Sequence, residues 1–168
     1  MKTNIADLKK TTLIVLIAGT IFYGMSCIKS SPGYTSYCNG VPPASDSTLL
    51  KEYAASNGIT YTVDTSWLYY QIIDTGSTGP NPTSNSKVTI NYVGKFLNGD
   101  NFDSTTSPVT YELDSLVQGL QYGLLKIRAG GRIKLLVPSA LAFGCVGKGN
   151  IPPNTPLYFD VSLINVGF

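Results

Sequence analysis

Alternating apolar and polar residues predict strands in six parts of the chain. An apolar residue at every second position turns one face of a strand towards the core and leaves the other for solvent. The segments with this spacing are residues 59–64, 67–74, 87–96, 109–113, 132–137 and a final strand that begins at Leu157. The pattern therefore indicates a protein built mainly of strands.

Helical spacing occurs in two short segments. Leu116, Leu120 and Leu124 recur every fourth residue, and Gly130-Gly131 would close that helix. A second helix is predicted over residues 49–56, with capping residues at 45–48. Strands arranged with one short central helix indicate an α+β domain on an antiparallel sheet.

The first 27 residues form a segment of their own. Three lysines (Lys2, Lys9 and Lys10) precede an apolar run of about 13 residues, which is shorter than the roughly 20 of a membrane span. A basic start followed by a short apolar run predicts a secretory signal. The domain is therefore predicted to be exported.

The predicted signal ends in a sequence that resembles a bacterial lipobox. Small residues precede Cys27, which cleavage would turn into a lipid-modified N-terminus. Gly24 departs from the pattern, because an aliphatic residue is usual there. The alternatives are an ordinary signal peptide, or an uncleaved anchor in which Cys27 is incidental. Lipidation would hold the protein on the cell envelope, facing the periplasm or the surface.

The rest of the chain divides by composition. Residues 28–45 are rich in Ser, Pro, Gly and Asn and predict a flexible tether. Residues 46–86 contain the first helix, two strands and a polar loop, and residues 87–168 form the compact domain. No long segment of helical pattern is available for dimerisation, so a monomer is predicted.

Charge and residue content exclude several classes of function. Residues 1–27 carry three lysines and one aspartate, so the remaining chain has nine basic and nine acidic residues and no net charge. A neutral domain without a basic cluster does not predict nucleic-acid binding. The chain has no histidine, which removes most hydrolase mechanisms, and no cysteine spacing typical of zinc.

Two cysteines remain if Cys27 is lipidated. Cys38 and Cys145 would then be a pair in an oxidising compartment, where disulfides form readily. A disulfide between them would join the tether to the loop after Phe143. The alternative is two separate thiols.

Short motifs in the last eighty residues resemble the FKBP-type peptidyl-prolyl isomerases, the immunophilin family that binds tacrolimus and rapamycin. The resemblance covers about residues 87–166. Its fragments, in chain order, are Tyr92-x-Gly94, Gly99, Phe102-Asp103-Ser104, Leu116-Val117-x-Gly119, Gly130-Gly131-Arg132, Pro138, Ala142-Phe143-Gly144, Ile151-Pro152-Pro153-Asn154 and Phe159-Asp160-Val161.

The resemblance implies an antiparallel sheet wrapped around a short central helix, with an aromatic pocket that acts on X-Pro bonds. No cofactor or metal is implied. The implied partners are proline-containing polypeptides and ligands of the tacrolimus and rapamycin type. The implied catalytic residues are Tyr92, Phe102, Asp103, Phe143 and Phe159, and the implied substrate-binding residues are Val109, Leu116, Val117, Leu120 and Ile151.

Asp103 is expected to be the one buried carboxylate of this pocket, with an internal partner such as Arg132. It would orient and polarise the substrate, while the backbone N–H of Val117 would bond to a ligand carbonyl. Two positions depart from the family pattern. Leu120 stands where the pocket floor is normally an indole, and Phe143 replaces a tyrosine whose hydroxyl bonds to the ligand.

Three functions follow from this pattern. The first is an exported, lipid-anchored prolyl isomerase that needs neither acid-base nor covalent chemistry. The second is a peptide-binding or chaperone module of the same fold with weak or absent catalysis, which the two departures motivate. The third is a structural lipoprotein with a vestigial pocket.

Overall fold

The computed structural model of the protein describes residues 39–77 and 79–167. The predicted signal, the lipidation site Cys27 and the predicted disulfide partner Cys38 lie outside these residues. The helices are α1 (Ser47–Ser56) and α2 (Gln118–Leu124). The strands are β1 (Thr62–Val63), β2 (Tyr69–Asp74), β3 (Lys87–Phe96), β4 (Asn101–Ser104), β5 (Val109–Glu112), β6 (Arg132–Val137) and β7 (Leu157–Gly167).

All seven strands of the described residues join in one antiparallel sheet. The order is β1-β2-β6-β7-β3-β4, and β5 pairs with the first half of β3. The two longest strands, β3 and β7, pair from Lys87 opposite Gly167 to Phe96 opposite Leu157. The predicted α+β class, with an antiparallel sheet around a short helix, is confirmed.

Helix α2 lies against one face of the sheet. Its Leu120 and Leu124 are buried among apolar residues of β3, β6 and β7. A Cβ atom at Gly123 would lie 2.5 Å from Leu135 Cδ1, and one at Gly119 would overlap Val137. The two glycines therefore let the helix approach the sheet closely, which fixes the depth at which Leu120 stands.

Helix α1 covers part of the opposite face. Its Leu50 and Ala54 pack with Tyr69, Leu136 and Tyr158 from the outer side of β2, β6 and β7. Strand β2 therefore contributes residues to both faces, as its alternating pattern predicts. The helix and the two strands predicted within residues 46–86 therefore share the sheet and the core with the rest of the described chain.

The N-terminal end of α1 differs from the prediction. Asp46 precedes the helix but makes no side-chain cap bond. Its buried carboxylate instead accepts hydrogen bonds of 2.7 Å from the backbone N–H and the hydroxyl of Ser139. Asp46, predicted as a capping residue, thus joins the start of the described chain to the loop after β6.

Two further elements, β1 and α2, are shorter than predicted. Only Thr62–Val63 of the predicted strand 59–64 pairs with β2, because Ile59 is buried under α1 outside the ladder. Helix α2 starts at Gln118, because Leu116 has an extended backbone. It ends at Leu124, well before Gly130, so the prediction that Gly130-Gly131 closes the helix is wrong.

Candidate functional site

A cavity of about 240 Å³ opens where α2 meets the sheet. Residues of β3, β4, β5, β7, α2 and the loop after β6 converge on it. They are Tyr92, Phe102, Asp103, Tyr111, Ser115, Leu116, Val117, Leu120, Phe143, Lys148 and Phe159. Eight of the ten residues predicted for the pocket are therefore brought together here.

Three aromatic rings stand next to one another in the wall of this cavity. The rings of Phe102 and Phe159 meet edge to face with centroids 5.5 Å apart, and those of Tyr92 and Phe159 are 6.3 Å apart. A Cβ atom at Gly94 would lie 2.5 Å from Phe102 Cζ, so this ring needs glycine beneath it. The paired strands β3, β4 and β7 thus build a preformed apolar wall.

The first residues of α2 form the inner end of the cavity. Leu120, which is 5% exposed, reaches the core and the cavity at once. Val117 is the N-cap residue of α2, and its N–H donates no backbone hydrogen bond within the described residues. A donor is therefore available beside an apolar floor, as the predicted role of Val117 requires.

A hydroxyl-carboxylate pair supplies the polar part of the wall. The Tyr92 hydroxyl donates a hydrogen bond of 2.5 Å to Asp103 Oδ2. Burial, reinforced by this bond to Asp103, raises the pKa of Tyr92 well above its usual range. Tyr92 consequently keeps its proton at neutral pH and donates it to the hydrogen bond with Asp103.

The surroundings of Asp103 differ from the expectation in two ways. The residue is exposed and not buried, because β4 lies at the edge of the sheet. Arg132 is not its partner: the guanidinium forms a bidentate pair with Asp160, at 2.9 Å for both bonds. The partner of Asp103 is Tyr92, from the neighbouring strand.

Two predicted binding residues are not among those that line the cavity. Val109 starts β5 opposite Ile90 and is 37% exposed, and Ile151 is buried in the core cluster. Tyr111, two residues along β5 from Val109 on the same face, lines the cavity instead. The alternation of the predicted strand 109–113 was the signal that could have pointed to Tyr111.

Ser115 and Lys148 also line the cavity without having been predicted to do so. Lys148 follows Phe143 in the loop after β6, and its Nζ lies 5.4 Å from the centroid of the Phe143 ring. Lys148 is exposed, and its position at the cavity adds a positive charge to the site.

A second cavity, of about 340 Å³, lies on the outer face of the sheet. The Arg132–Asp160 ion pair lies in its lining. Thr105 and Asn91, also in its lining, are hydrogen-bonded to each other. These polar groups are already partnered, so the aromatic cavity is the better candidate for a functional site.

The chemistry available at the aromatic cavity is limited. The chain has no histidine, and no group of acids and cysteines that could hold a metal occurs among residues 39–77 and 79–167. The polar lining consists of hydroxyls, one carboxylate and one ammonium group. Such a cavity can bind, desolvate and orient an apolar segment without forming a bond to it.

An antiparallel sheet packed on a short helix, with an aromatic cavity between them, defines an α+β domain of the kind that the motif resemblance implied. Residues 79–164, just over half of the chain, match the family model described as FKBP-type peptidyl-prolyl cis-trans isomerase. The chain therefore belongs to the FKBP-type peptidyl-prolyl cis-trans isomerase family, and the resemblance in its motifs is confirmed.

Individual relatives agree with this assignment. The FKBP-type peptidyl-prolyl cis-trans isomerase FkpA of Escherichia coli K12 is 39% identical over 102 residues, which are 59% of this chain and 37% of the relative. The peptidyl-prolyl cis-trans isomerase Mip of Coxiella burnetii is 40% identical over 103 residues, which are 59% and 44% of the two chains. The match thus spans less than half of either relative.

A solved structure extends the likeness to the fold. The crystal structure of FkpA from Escherichia coli superposes with a TM-score of 0.66 at 34% identity, covering 74% of this chain and 61% of that one. Separately, no helix in the described part of this chain is long and apolar enough to cross a membrane.

Proposed function

We propose that the protein is a peptidyl-prolyl cis-trans isomerase that acts on X-Pro bonds of exported polypeptides. The observation that carries this proposal is the aromatic cavity of Tyr92, Phe102 and Phe159, with the Tyr92–Asp103 hydrogen bond in its wall. Family membership and the names of the relatives support it.

Rotation about a peptide bond is slow because resonance must be broken, at a barrier of about 18–20 kcal/mol. In the twisted transition state the amide has lost its resonance, and its carbonyl is less polar than in the planar form. An apolar cavity favours this state over the well-hydrated ground state. The mechanism needs neither a nucleophile nor a proton transfer, so the absence of histidine is no obstacle.

Each part of the cavity has a role in this mechanism. The rings of Phe102 and Phe159 take the proline ring out of water. The N–H of Val117 bonds to a substrate carbonyl and fixes the chain on one side of the rotating bond. Asp103, held by Tyr92, orients and polarises the substrate; it does not act as a base.

The two departures from the family pattern reduce this activity. Phe143 offers no hydroxyl, and a missing hydrogen bond costs about 0.5–1.5 kcal/mol. Leu120 is aliphatic and smaller than an indole, so the cavity loses an aromatic contact and is wider at its floor. Tacrolimus-type ligands meet the same cavity, so their binding is weakened as well.

The test is the rate at which the purified protein isomerises a short Leu-Pro or Phe-Pro peptide. Asp103→Ala should lower the acceleration about tenfold or more, because a hydrogen bond to a charged group contributes about 1.5–3 kcal/mol. Asp100→Ala, an exposed aspartate of the same β3–β4 hairpin outside the cavity, is the matched control. A folded protein that does not accelerate isomerisation of these peptides would contradict the proposal.

A second function is a peptide-binding or chaperone module of the same fold. Leu120 and Phe143 favour it, because a cavity without the indole and without the tyrosine hydroxyl is still apolar and still captures apolar segments. This function predicts that the protein suppresses aggregation of an unfolded client while leaving the isomerisation rate at its uncatalysed value.

The proposal also includes export and attachment to the cell envelope. Residues 1–27 have the composition of a secretory signal, and Cys27 is proposed as the lipidated residue. In a bacterial host, Cys27→Ala should release the protein from the membrane fraction. Continued membrane association of that variant would contradict lipidation at Cys27.

We further propose a disulfide between Cys38 and Cys145. Cys145 is disulfide-bonded, and its partner lies outside the described residues. The two other cysteines of the chain are Cys27 and Cys38. A Cβ atom at Gly40 would lie 3.9 Å from Cys145 Sγ, which brings the chain two residues after Cys38 close to this sulfur.

A further inference from the structure

Two residues of the cavity lining carry a formal charge, Asp103 and Lys148. The carboxylate of Asp103 accepts a hydrogen bond of 2.5 Å from the Tyr92 hydroxyl at its Oδ2 atom. Lys148 is different, because no carboxylate of the described residues pairs with it. The three ion pairs found there are Lys87–Glu112, Lys126–Asp64 and Arg132–Asp160.

The backbone around Lys148 is held in a defined shape. Lys148 and Ile151 exchange two backbone hydrogen bonds, of 3.0 and 2.9 Å, across a tight turn. Gly149 has a φ of 58° in that turn, and Gly147 has a φ of 71° directly before Lys148. A side chain at Gly147 would overlap the backbone of Ile151. The base of the Lys148 side chain is therefore fixed by a compact loop.

The far end of the Lys148 side chain, its ammonium group, is held in place as well. Lys148 Nζ lies 5.4 Å from the centre of the Phe143 ring, within the range of a cation-π contact. Phe143 itself lines the cavity. The contact leaves the ammonium exposed and free to pair with an anion, because the ring carries no formal charge.

We propose that Lys148 is a specificity-determining residue that favours clients with an aspartate or glutamate next to the X-Pro bond. The inference rests on the proposed function, since it concerns peptides held in the same cavity. A client carboxylate beside Phe143 would supply the anion that the protein itself does not place there. A basic flanking residue would be repelled by the same charge.

The size of the effect follows from the exposure of Lys148. An exposed ion pair changes an equilibrium by about two- to fivefold, and salt weakens it because the Debye length shortens as ionic strength rises. The preference for acidic clients should therefore be modest at low salt. It should nearly vanish at an ionic strength of about 1 M, where the Debye length is about 3 Å.

The test uses the full-length protein and three peptides that differ in one residue beside Leu-Pro: Glu, Gln or Lys. That residue is placed before the pair in one series and after it in another. Within each variant, kcat/KM is divided by that of the Gln peptide, which removes any general effect on the cavity. The unchanged protein should prefer Glu over Gln about two- to fivefold in at least one series, and should disfavour Lys.

The variants assign the preference to one residue. Lys148→Arg should retain it, Lys148→Gln should remove it, and Lys148→Glu should invert it. Lys51→Gln, which removes an exposed lysine of α1, is the matched control and should retain the preference. An equal response to all three peptides in both series, or a preference that survives Lys148→Gln, would overturn the inference.

Binding affinities keep the two proposals apart. If no peptide is isomerised, the proposed catalysis fails, while the order of the dissociation constants for the three peptides still decides the role of Lys148. If all three peptides are isomerised with the same kcat/KM, the proposed catalysis stands and the role of Lys148 is rejected.

Discussion

At the scale of single residues, the cavity combines family features with two substitutions. The motif resemblance predicted Tyr92, Phe102, Asp103 and Phe159 for the pocket, because the short fragments that contain them are recognisable in the sequence, and the four residues lie together in the cavity lining. It did not identify Lys148, because its contact with the cavity depends on the path of a loop without periodicity. It also could not give the exposure of Asp103, which follows from the position of β4 at the sheet edge.

Restoring a hydroxyl at position 143 should raise activity. Phe143→Tyr adds a hydrogen-bond donor to the cavity lining, and we expect kcat/KM to rise about two- to tenfold. The same substitution should strengthen the binding of tacrolimus, measured by calorimetry. Tyr122→Phe, which removes a hydroxyl from the exposed side of α2, serves as the control. An unchanged rate and affinity would show that the hydroxyl is not what limits the site.

Four tyrosines should make the stability of the protein fall at alkaline pH. Burial raises the pKa of Tyr53, Tyr69, Tyr92 and Tyr158 above the ordinary value of 10.0. Above pH 10.0 the folded state therefore keeps phenol protons that the unfolded state loses. The contribution of these four tyrosines to the free energy of unfolding is complete below pH 10.0 and is lost as the pH rises further.

Phenolate absorbance and the free energy of unfolding, followed from about pH 8 to about pH 12, measure this effect. Tyr53, Tyr69, Tyr92 and Tyr158 should ionise above the ordinary value, together with unfolding. Ionisation of all of them in a single step while the protein remains folded would contradict the burial of these hydroxyls.

At the scale of elements, alternation alone predicted β3, β6 and β7 well. These strands are long or central, and buried apolar residues recur in them at alternate positions, such as Ile133, Leu135 and Val137 in β6. Alternation overextended the strand predicted at residues 59–64, because only Thr62–Val63 pairs and Ile59 is buried outside the ladder. Helical spacing in turn overextended α2, because Leu116 packs on the core from an extended segment and not from the helix.

The close approach of α2 to the sheet should depend on its glycines. Gly123→Ala places a methyl group 2.5 Å from Leu135 Cδ1, and we expect a loss of about 1–3 kcal/mol in the free energy of unfolding. The higher helix propensity of alanine offsets at most about 1 kcal/mol of this. Urea unfolding measures the difference, with the exposed Gln118→Ala on the same helix as control. A Gly123→Ala protein as stable as the original would contradict the packing described.

At the scale of the whole molecule, two hydrogen bonds from Ser139 to Asp46 join the described N-terminal segment to the loop after β6. Cys145 in the same loop is disulfide-bonded to a cysteine outside the described residues. The sequence could offer Cys38 and Cys145 as a pair by elimination, but it gave no sign of the Asp46–Ser139 contact. Such contacts depend on the tertiary fold and leave no periodic trace in the sequence.

Loss of the proposed disulfide should weaken the fold. Cys38→Ser should remove the two-hydrogen mass deficit measured without reductant, and should lower the free energy of unfolding by about 2–5 kcal/mol. Cys27→Ser should leave both unchanged. Loss of the deficit in Cys27→Ser and its persistence in Cys38→Ser would mean that Cys27 is the partner of Cys145.

The central claim is that the aromatic cavity catalyses rotation about X-Pro bonds. Exchange NMR spectroscopy on a Leu-Pro peptide tests it most directly, because the cis and trans signals report the rate and the equilibrium together. A catalytic amount of the protein should accelerate exchange without changing the ratio of the two isomers, and Asp103→Ala should remove most of the acceleration. Exchange at the uncatalysed rate in the presence of folded protein would contradict the claim.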